Sequence, residues 1–296
     1  MSKEALPEMT LQERVSALLH CDCAALPLSS CRLVRPYLLE KHAIPTSGTA
    51  LFFAVPYLVA SDAGLPSRNL SLYAVPRDYH LYIRQLSDTV LPALEQAFPQ
   101  YRFALFSDHS PLAEVEGAAR AGLGVIGENG LLITPMYGSF IFVAEIVTSA
   151  GWTETTGRAE GDRPSGEVRH CMGCGACTAL CPGHCKKGHM DGCLSALTQK
   201  KGELTPDEEV TLRNHPLVWG CDTCQMVCPL NQAVLTGAHD TPIPFFREKR
   251  LPALTLDELE HMSDRDFSDR AFAWRGRAVV RRNLMIKYGQ ESHPED

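Results

Sequence analysis

Nine of the twelve cysteines lie between Cys171 and Cys228. Cys171, Cys174, Cys177 and Cys181 follow C-x2-C-x2-C-x3-C with Pro182 next, and Cys221, Cys224 and Cys228 with Pro229 repeat the closing half. Three thiolates at two-residue gaps come from one tight turn and supply three corners of a 4Fe–4S cube, while the fourth must come from elsewhere. Paired motifs of this kind trade their last cysteines. That logic assigns Cys171, Cys174, Cys177 and the distant Cys228 to one cluster, and Cys181, Cys221, Cys224 and one more to a second. Cys185 and Cys193 are the candidates for the last place, with Cys193 favoured. Zinc bound with help from His184 or His189 is the competing reading, but zinc sites favour two separated C-x2-C pairs. Adjacent cubes imply electron transfer.

Cys21, Cys23 and Cys31 share no such spacing and read as small buried hydrophobes. At 296 residues and 45% hydrophobic composition the chain can bury one large domain and a smaller one. No apolar run reaches the roughly 18 residues of a membrane span, and the start MSKEALPEMTLQERV lacks a signal peptide's apolar segment. A cytoplasmic location follows, where thiols stay reduced and clustered cysteines point to metal. A net charge of −7 argues against a generally basic nucleic-acid-binding surface. A local basic patch remains from Arg270 onward, with Arg275, Arg277, Arg281, Arg282 and Lys287.

Several elements must position these residues. A capping box at Thr10–Glu13 starts a helix over 10–20. TALFFAVPYLVA (49–60) reads as a buried strand. After YAVPRDYH (73–80) comes a helix with Asp78 as its N-cap; by themselves residues 77–80 read as capping and solvated surface. RFALFS (102–107) is a strand ended by Asp108, and 111–121 fits a helix with Pro111 in its first turn. Gly122, Gly124 and Gly127 match a dinucleotide fingerprint by letters, but they end a helix and lead to a strand, the reverse of what phosphate binding needs. Gly122 is therefore a helix C-cap and the rest a close-packed turn. LLIT (131–134) and FIFVAEIVTS (140–149) read as two strands of a hairpin around 136–138, and 150–169 as a loop at a domain boundary. Capping boxes at Thr205–Glu208 and Thr255–Glu258 start further helices, and Val279, Val280, Leu284 and Ile286 form an apolar stripe near the end.

Together these residues resemble the cobalamin-dependent, iron–sulfur epoxyqueuosine reductases, relatives of the reductive dehalogenases. The resemblance runs from about Thr49 to Asn231 and again over 272–289. It is carried by RDYH (77–80), Asp108, ARAGLGVIGEN (119–129), GSFIFVAEIVTS (138–149), CMGCGACTALCP (171–182), DGCLSALT (191–198) and WGCDTCQMVCPLN (219–231). It implies an α+β architecture: an N-terminal α/β cobalamin-binding domain over 1–160 with an antiparallel or mixed sheet, a ferredoxin-like two-cluster domain over 161–235, and a short helical C-terminal segment over 236–296. It further implies base-off cobalamin, reduced by two 4Fe–4S clusters that a low-potential donor such as ferredoxin or flavodoxin recharges, in a monomer. The activity implied is removal of the epoxide oxygen of epoxyqueuosine in tRNA to give queuosine.

The family's acid maps onto Asp108, which would protonate the departing oxygen; enclosed by a corrin, its carboxyl would hold a proton near neutral pH. Without the family, Asp108 reads as a helix cap before Pro111. DGCLSALT supports Cys193 as the fourth ligand of the second cluster. Tyr57, Ser71, Leu131, Ile133, Ser195, Cys221 and Asp222 fall where the family approaches the corrin. The chain departs from the family at Glu128, usually lysine, and at Val75-Pro76, usually Arg-Gly, and members are commonly several tens of residues longer. Two other functions stay open: a relative with the same cofactors that reduces a small molecule or another corrinoid protein, and a non-enzymatic two-cluster electron carrier.

Overall fold

The structure is a computed structural model that describes residues 9–186 and 188–289. The first half of the stretch expected to lack a signal peptide, residues 1–8, lies outside them. Among the described residues no helix is long and apolar enough to cross a membrane. The chain folds as α+β, with one four-stranded antiparallel sheet in the order β1 (Ala24–Pro27), β2 (Thr49–Pro56), β6 (Ile141–Thr148), β3 (Phe103–Phe106). A second ribbon pairs β4 (Val125–Ile126) with β5 (Leu132–Ile133).

Central strands read as continuous apolar runs because both faces are covered. Leu51, Phe53 and Val55 of β2 face one core with Leu11, Val15 and Leu94 from the helices Leu11–Leu19 and Tyr79–Ala97. Ala50 and Phe52 face the other, with Ala118 and Ala119 of the helix Glu114–Arg120. That helix lies so close to the sheet that a Cβ at Gly117 would stand 2.4 Å from the Phe52 ring. The capping boxes at Thr10, Thr205 and Thr255 all form, and Asp78 caps the helix at Tyr79 by accepting from the His80 N–H.

Three local expectations change. The helix after Asp108 starts at Glu114, because the Pro111 carbonyl is used by the Val34 and Arg35 N–H groups. Gly122 has φ +92° just beyond that helix, as a helix-ending glycine should. Strands β5 and β6 do not pair with each other. The turn at 134–138 closes on itself through Thr134 and Gly138, sending β5 back to β4 while β6 enters the main sheet between β2 and β3. The stretch 150–169 holds a short helix, Trp152–Thr156, whose Trp152 is buried.

A third core draws on all three expected units: Leu70 and Ala74, Val218 and Trp219, then Leu254, Phe272, Val280 and Leu284. Most of the basic C-terminal residues are spent on it. Arg270 donates to the Lys249 carbonyl, Arg277 to those of Leu259 and Met262, Arg282 to that of Lys200, and Lys287 to that of His215. They satisfy helix-end and loop carbonyls instead of forming a free patch. Asn283 sits fully buried in the last helix, Arg277–Tyr288, and donates to the Thr198 and Val218 carbonyls at 2.7 and 2.8 Å. Asn283→Ala leaves both carbonyls unpaired and should cost about 1–3 kcal/mol in denaturant unfolding.

Candidate functional site

The cysteines meet at two separate hollows. One is lined by Cys171, Cys174, Cys177 and Cys228, with Gly127, Ile133, Gly175 and Leu230 around them. The other is lined by Cys181, Cys185, Cys193, Cys221 and Cys224, with Thr178, Pro182 and Leu194. Cys177, Glu128 and Asn129 border both, so the two hollows are neighbours. Among the described residues, no group of three or more His, Cys, Asp or Glu side chains converges tightly enough for a single metal ion. Thiols spread around a hollow suit the outer corners of a cube, where each iron takes its own sulfur. All twelve cysteines are free thiols in the structure.

Local backbone explains the wrapping. Gly173 and Gly175 have φ of +65° and +71°, left-handed values that let the chain coil between Cys171 and Cys177 without a Cβ clash. Cys228 arrives from more than fifty positions away because Asn231, three residues on, is locked in place. Its side chain accepts from the Ser139 N–H at 2.9 Å and donates to the Ser139 hydroxyl and the Gln225 carbonyl, both at 2.8 Å. Gly138 faces it so closely that a Cβ there would lie 2.2 Å from the Asn231 Oδ1.

The two halves are joined by a second buried polar seam. Asp222 is 3% exposed and accepts from the Ser71 hydroxyl at 2.6 Å, the Leu72 N–H at 3.0 Å and the Arg68 guanidinium at 2.6 Å. Tyr57 is buried against Gln225, whose amide donates to its hydroxyl at 3.2 Å. The side chains of Tyr57, Ser71 and Asp222 thus face one another's elements and hold the seam shut. Ser195, in the helix Leu194–Thr198, accepts from Gln199 at 3.2 Å, and Leu131 is half-buried in the β4–β5 turn.

Ile133 is different: it borders the first cluster hollow and also a cavity with Gly122, Gly124, Thr134 and Leu230. That cavity shares Gly122, Thr134 and Pro135 with a larger one of about 720 Å³ beside Cys21, Cys23, Ala54 and Tyr137. Open space therefore borders Ile133 on two sides, and the larger cavity adjoins it along the β4–β5 ribbon. Cys23 is buried, and its contact with the Cys21 thiol, then burial, push its own thiol up; Cys21 is half-buried, and both border the cavity. Cys31 is half-buried, and burial pushes its thiol up to about 12.

Asp108 does not cap a helix. It occupies a turn after β3 with φ +62° and a side chain 72% exposed. Tyr79 is no surface residue: it is buried, stacks on Phe142 at 3.9 Å, and its hydroxyl donates to the Asp108 Oδ2. Desolvation, then the Asp108 carboxylate, push the Tyr79 phenol up and keep it a donor. His80 Nε2 lies 3.9 Å from the same oxygen, and its hydrogen bond with Asp78 raises its pKa. Behind the turn stand Glu114 and Glu145, two carboxyl groups that the sequence reading missed. The continuous apolar run interrupted by Glu145 in FIFVAEIVT was the available signal.

Residues 170–231 match the 4Fe-4S double cluster binding domain. An epoxyqueuosine reductase of Listeria monocytogenes is 35% identical over 217 residues, 71% of this chain and 54% of that protein. Over these residues the chain is a relative of the epoxyqueuosine reductases. The solved epoxyqueuosine reductase of Streptococcus thermophilus overlays with a TM-score of 0.61 at 25% identity, over 81% of this chain and 63% of that one. An epoxyqueuosine reductase solved with an epoxyqueuosine-modified tRNA stem loop gives 0.63 at 26% identity over the same shares. The chain spans about half the length of the curated relative from Listeria.

The seam makes a test. Asp222→Ala strands the Arg68 guanidinium, whose side chain is 10% exposed, without its carboxylate. Loss of about 3–5 kcal/mol is expected in denaturant unfolding of the anaerobically purified protein.

Proposed function

We propose that this protein is a cobalamin- and iron–sulfur-dependent reductase that removes the epoxide oxygen of epoxyqueuosine in tRNA. The observation that carries the reading is the meeting of Cys171, Cys174, Cys177 and Cys228 at one hollow and Cys181, Cys193, Cys221 and Cys224 at its neighbour, in a relative of the epoxyqueuosine reductases. Those eight thiols would hold two 4Fe–4S clusters. Cys193 is favoured over Cys185 because its thiol faces both Cys221 and Cys224, whereas Cys185 faces Cys181 and Cys193.

The room that begins at Ile133 beside the first hollow supports cobalamin as the next carrier, with Ile133, the glycine-lined ribbon at Gly122 and Gly124, and Leu131 as its wall. Bound there, the clusters and the corrin would supply low-potential electrons to the substrate. Opening an epoxide to an alkene consumes two electrons and two protons and releases water. Asp108 is the group offered for one of those protons. Tyr79 fixes one carboxylate oxygen by donating to it, and His80 stands beside it. The exposure of Asp108 suits a substrate presented on a large molecule such as a tRNA stem loop. The domain limits 1–160, 161–235 and 236–296, the cytoplasmic location, the monomeric state and a ferredoxin or flavodoxin donor go with this reading.

Two experiments test it. Asp108→Asn should keep both clusters and bound cobalamin but lower turnover of epoxyqueuosine-tRNA by about 10²-fold or more; full turnover removes Asp108 from the mechanism. Cys193→Ala should cut the iron content from about eight to about four per chain, while Cys185→Ala keeps it near eight. The reverse result moves the ligand to Cys185.

A further inference from the structure

Glu145 lies in the middle of β6, opposite Phe52 of β2 and Phe106 of β3, and is 0% exposed. A lone carboxylate there would be held away from water at large cost. Its Oε1 accepts from the Ser110 hydroxyl, while its Oε2 is buried without a protein donor. The neighbouring group whose charge acts on it is the carboxyl of Glu114, at the start of the helix Glu114–Arg120 that packs on β6. Glu114 in turn accepts the Asp108 N–H at 2.9 Å through its Oε1.

We propose that Glu114 and Glu145 share one proton, and that this proton-bridged pair holds the Asp108 turn in its left-handed conformation. Both glutamates are then positioning residues for Asp108; neither touches substrate. The inference rests on the reading of Asp108 as the acid only for its effect on turnover. Two bare carboxylates at this depth would repel and leave the Glu145 Oε2 unpaired. One proton between them satisfies that oxygen and completes a path from Ser110 through Glu145 and Glu114 to the Asp108 backbone.

The surroundings agree. Burial, then the charge of Asp108, push the Glu114 carboxyl up to about 7, and burial, then Glu114, push Glu145 well above the carboxylate range. The other groups that face the pair are Arg35, Cys31, Tyr79, Asp108 and Ser110. Arg35 is the one cation among them, and its guanidinium is engaged with the Ser110 carbonyl at 3.2 Å.

The sign of the pH effect follows. With the shared proton held by Glu145, Glu114 in the closed turn takes up a second proton below about pH 7, whereas a solvated glutamate does so only near 4.5. Closure is therefore fully favoured below about 4.5 and loses its advantage as pH rises toward 7, by at most about tenfold per unit, then levels. Amide hydrogen exchange of residues 107–110 in the cofactor-loaded protein, corrected for intrinsic rates, reads this directly. Protection falling between about pH 5 and 7 in the wild type, and flat in Glu114→Gln, which removes the titrating group, is expected; a flat wild-type profile overturns the proposal. If Glu114→Gln does not fold, the wild-type profile decides without it. In turnover, Glu114→Ala should lose about tenfold or more in kcat with KM within about twofold, and Glu114→Gln, which can still accept the Asp108 N–H, should recover most of it. Equal loss in both variants also overturns it. Should Asp108→Asn keep full turnover while the exchange profile behaves as expected, the acid reading falls and the bridged pair stands.

Discussion

Asp222 is the point on which the two halves of this chain depend. It sits beside Cys221, yet its carboxylate spends its capacity on Ser71, Leu72 and Arg68 from a segment some 150 positions earlier. A buried carboxylate is tolerated only when its oxygens are filled, so this node admits one arrangement of the cysteine-rich region against the sheet domain. Gly220 shows how tight that arrangement is. It has φ +76°, and a Cβ there would lie 2.3 Å from the Ser71 Cβ. With the seam formed by Ser139, Gln225 and Asn231, it brings Cys228 back to the loop of Cys171 and leaves Cys221 and Cys224 facing Cys181 and Cys193.

The same economy governs the charges. Arginines and a lysine near the C-terminus that read as a basic patch donate to backbone carbonyls of neighbouring helices and loops, and Arg275 lies over the Trp274 ring at 3.7 Å. They hold the third core closed over Trp219. Around Asp108 the reverse holds. Acidic groups crowd a small volume, and what keeps them compatible is the phenol of Tyr79, the backbone N–H given to Glu114 and the hydroxyl of Ser110. A turn with φ +62° at a non-glycine residue is strained, and such strain persists where surrounding contacts over-determine it.

Much of this was legible in the residues alone. Cysteine spacing predicted two clusters with crossed ligands, because a two-residue gap is a local geometric requirement that needs no distant partner. The capping boxes at Thr10, Thr205 and Thr255 were read for the same reason, since the box closes within four residues. The reversed context of Gly122, Gly124 and Gly127 excluded a nucleotide loop, and Gly124 indeed packs a bare backbone against the Ile133 carbonyl.

What tertiary structure alone decided were the contacts between residues far apart in the chain. β5 pairs with β4, and β6 with β2 and β3, because the turn at 134–138 closes within itself and frees both strands to choose other partners. Asp222, Ser71 and Tyr57 came together in one buried seam, since a side chain's neighbours depend on which segments meet, and no local pattern records that. Glu145 looked like an interruption in an apolar strand; only the meeting of β6 with the helix at Glu114 gave its carboxyl a partner. Local geometry is written in spacing, whereas burial is a property of the assembled chain.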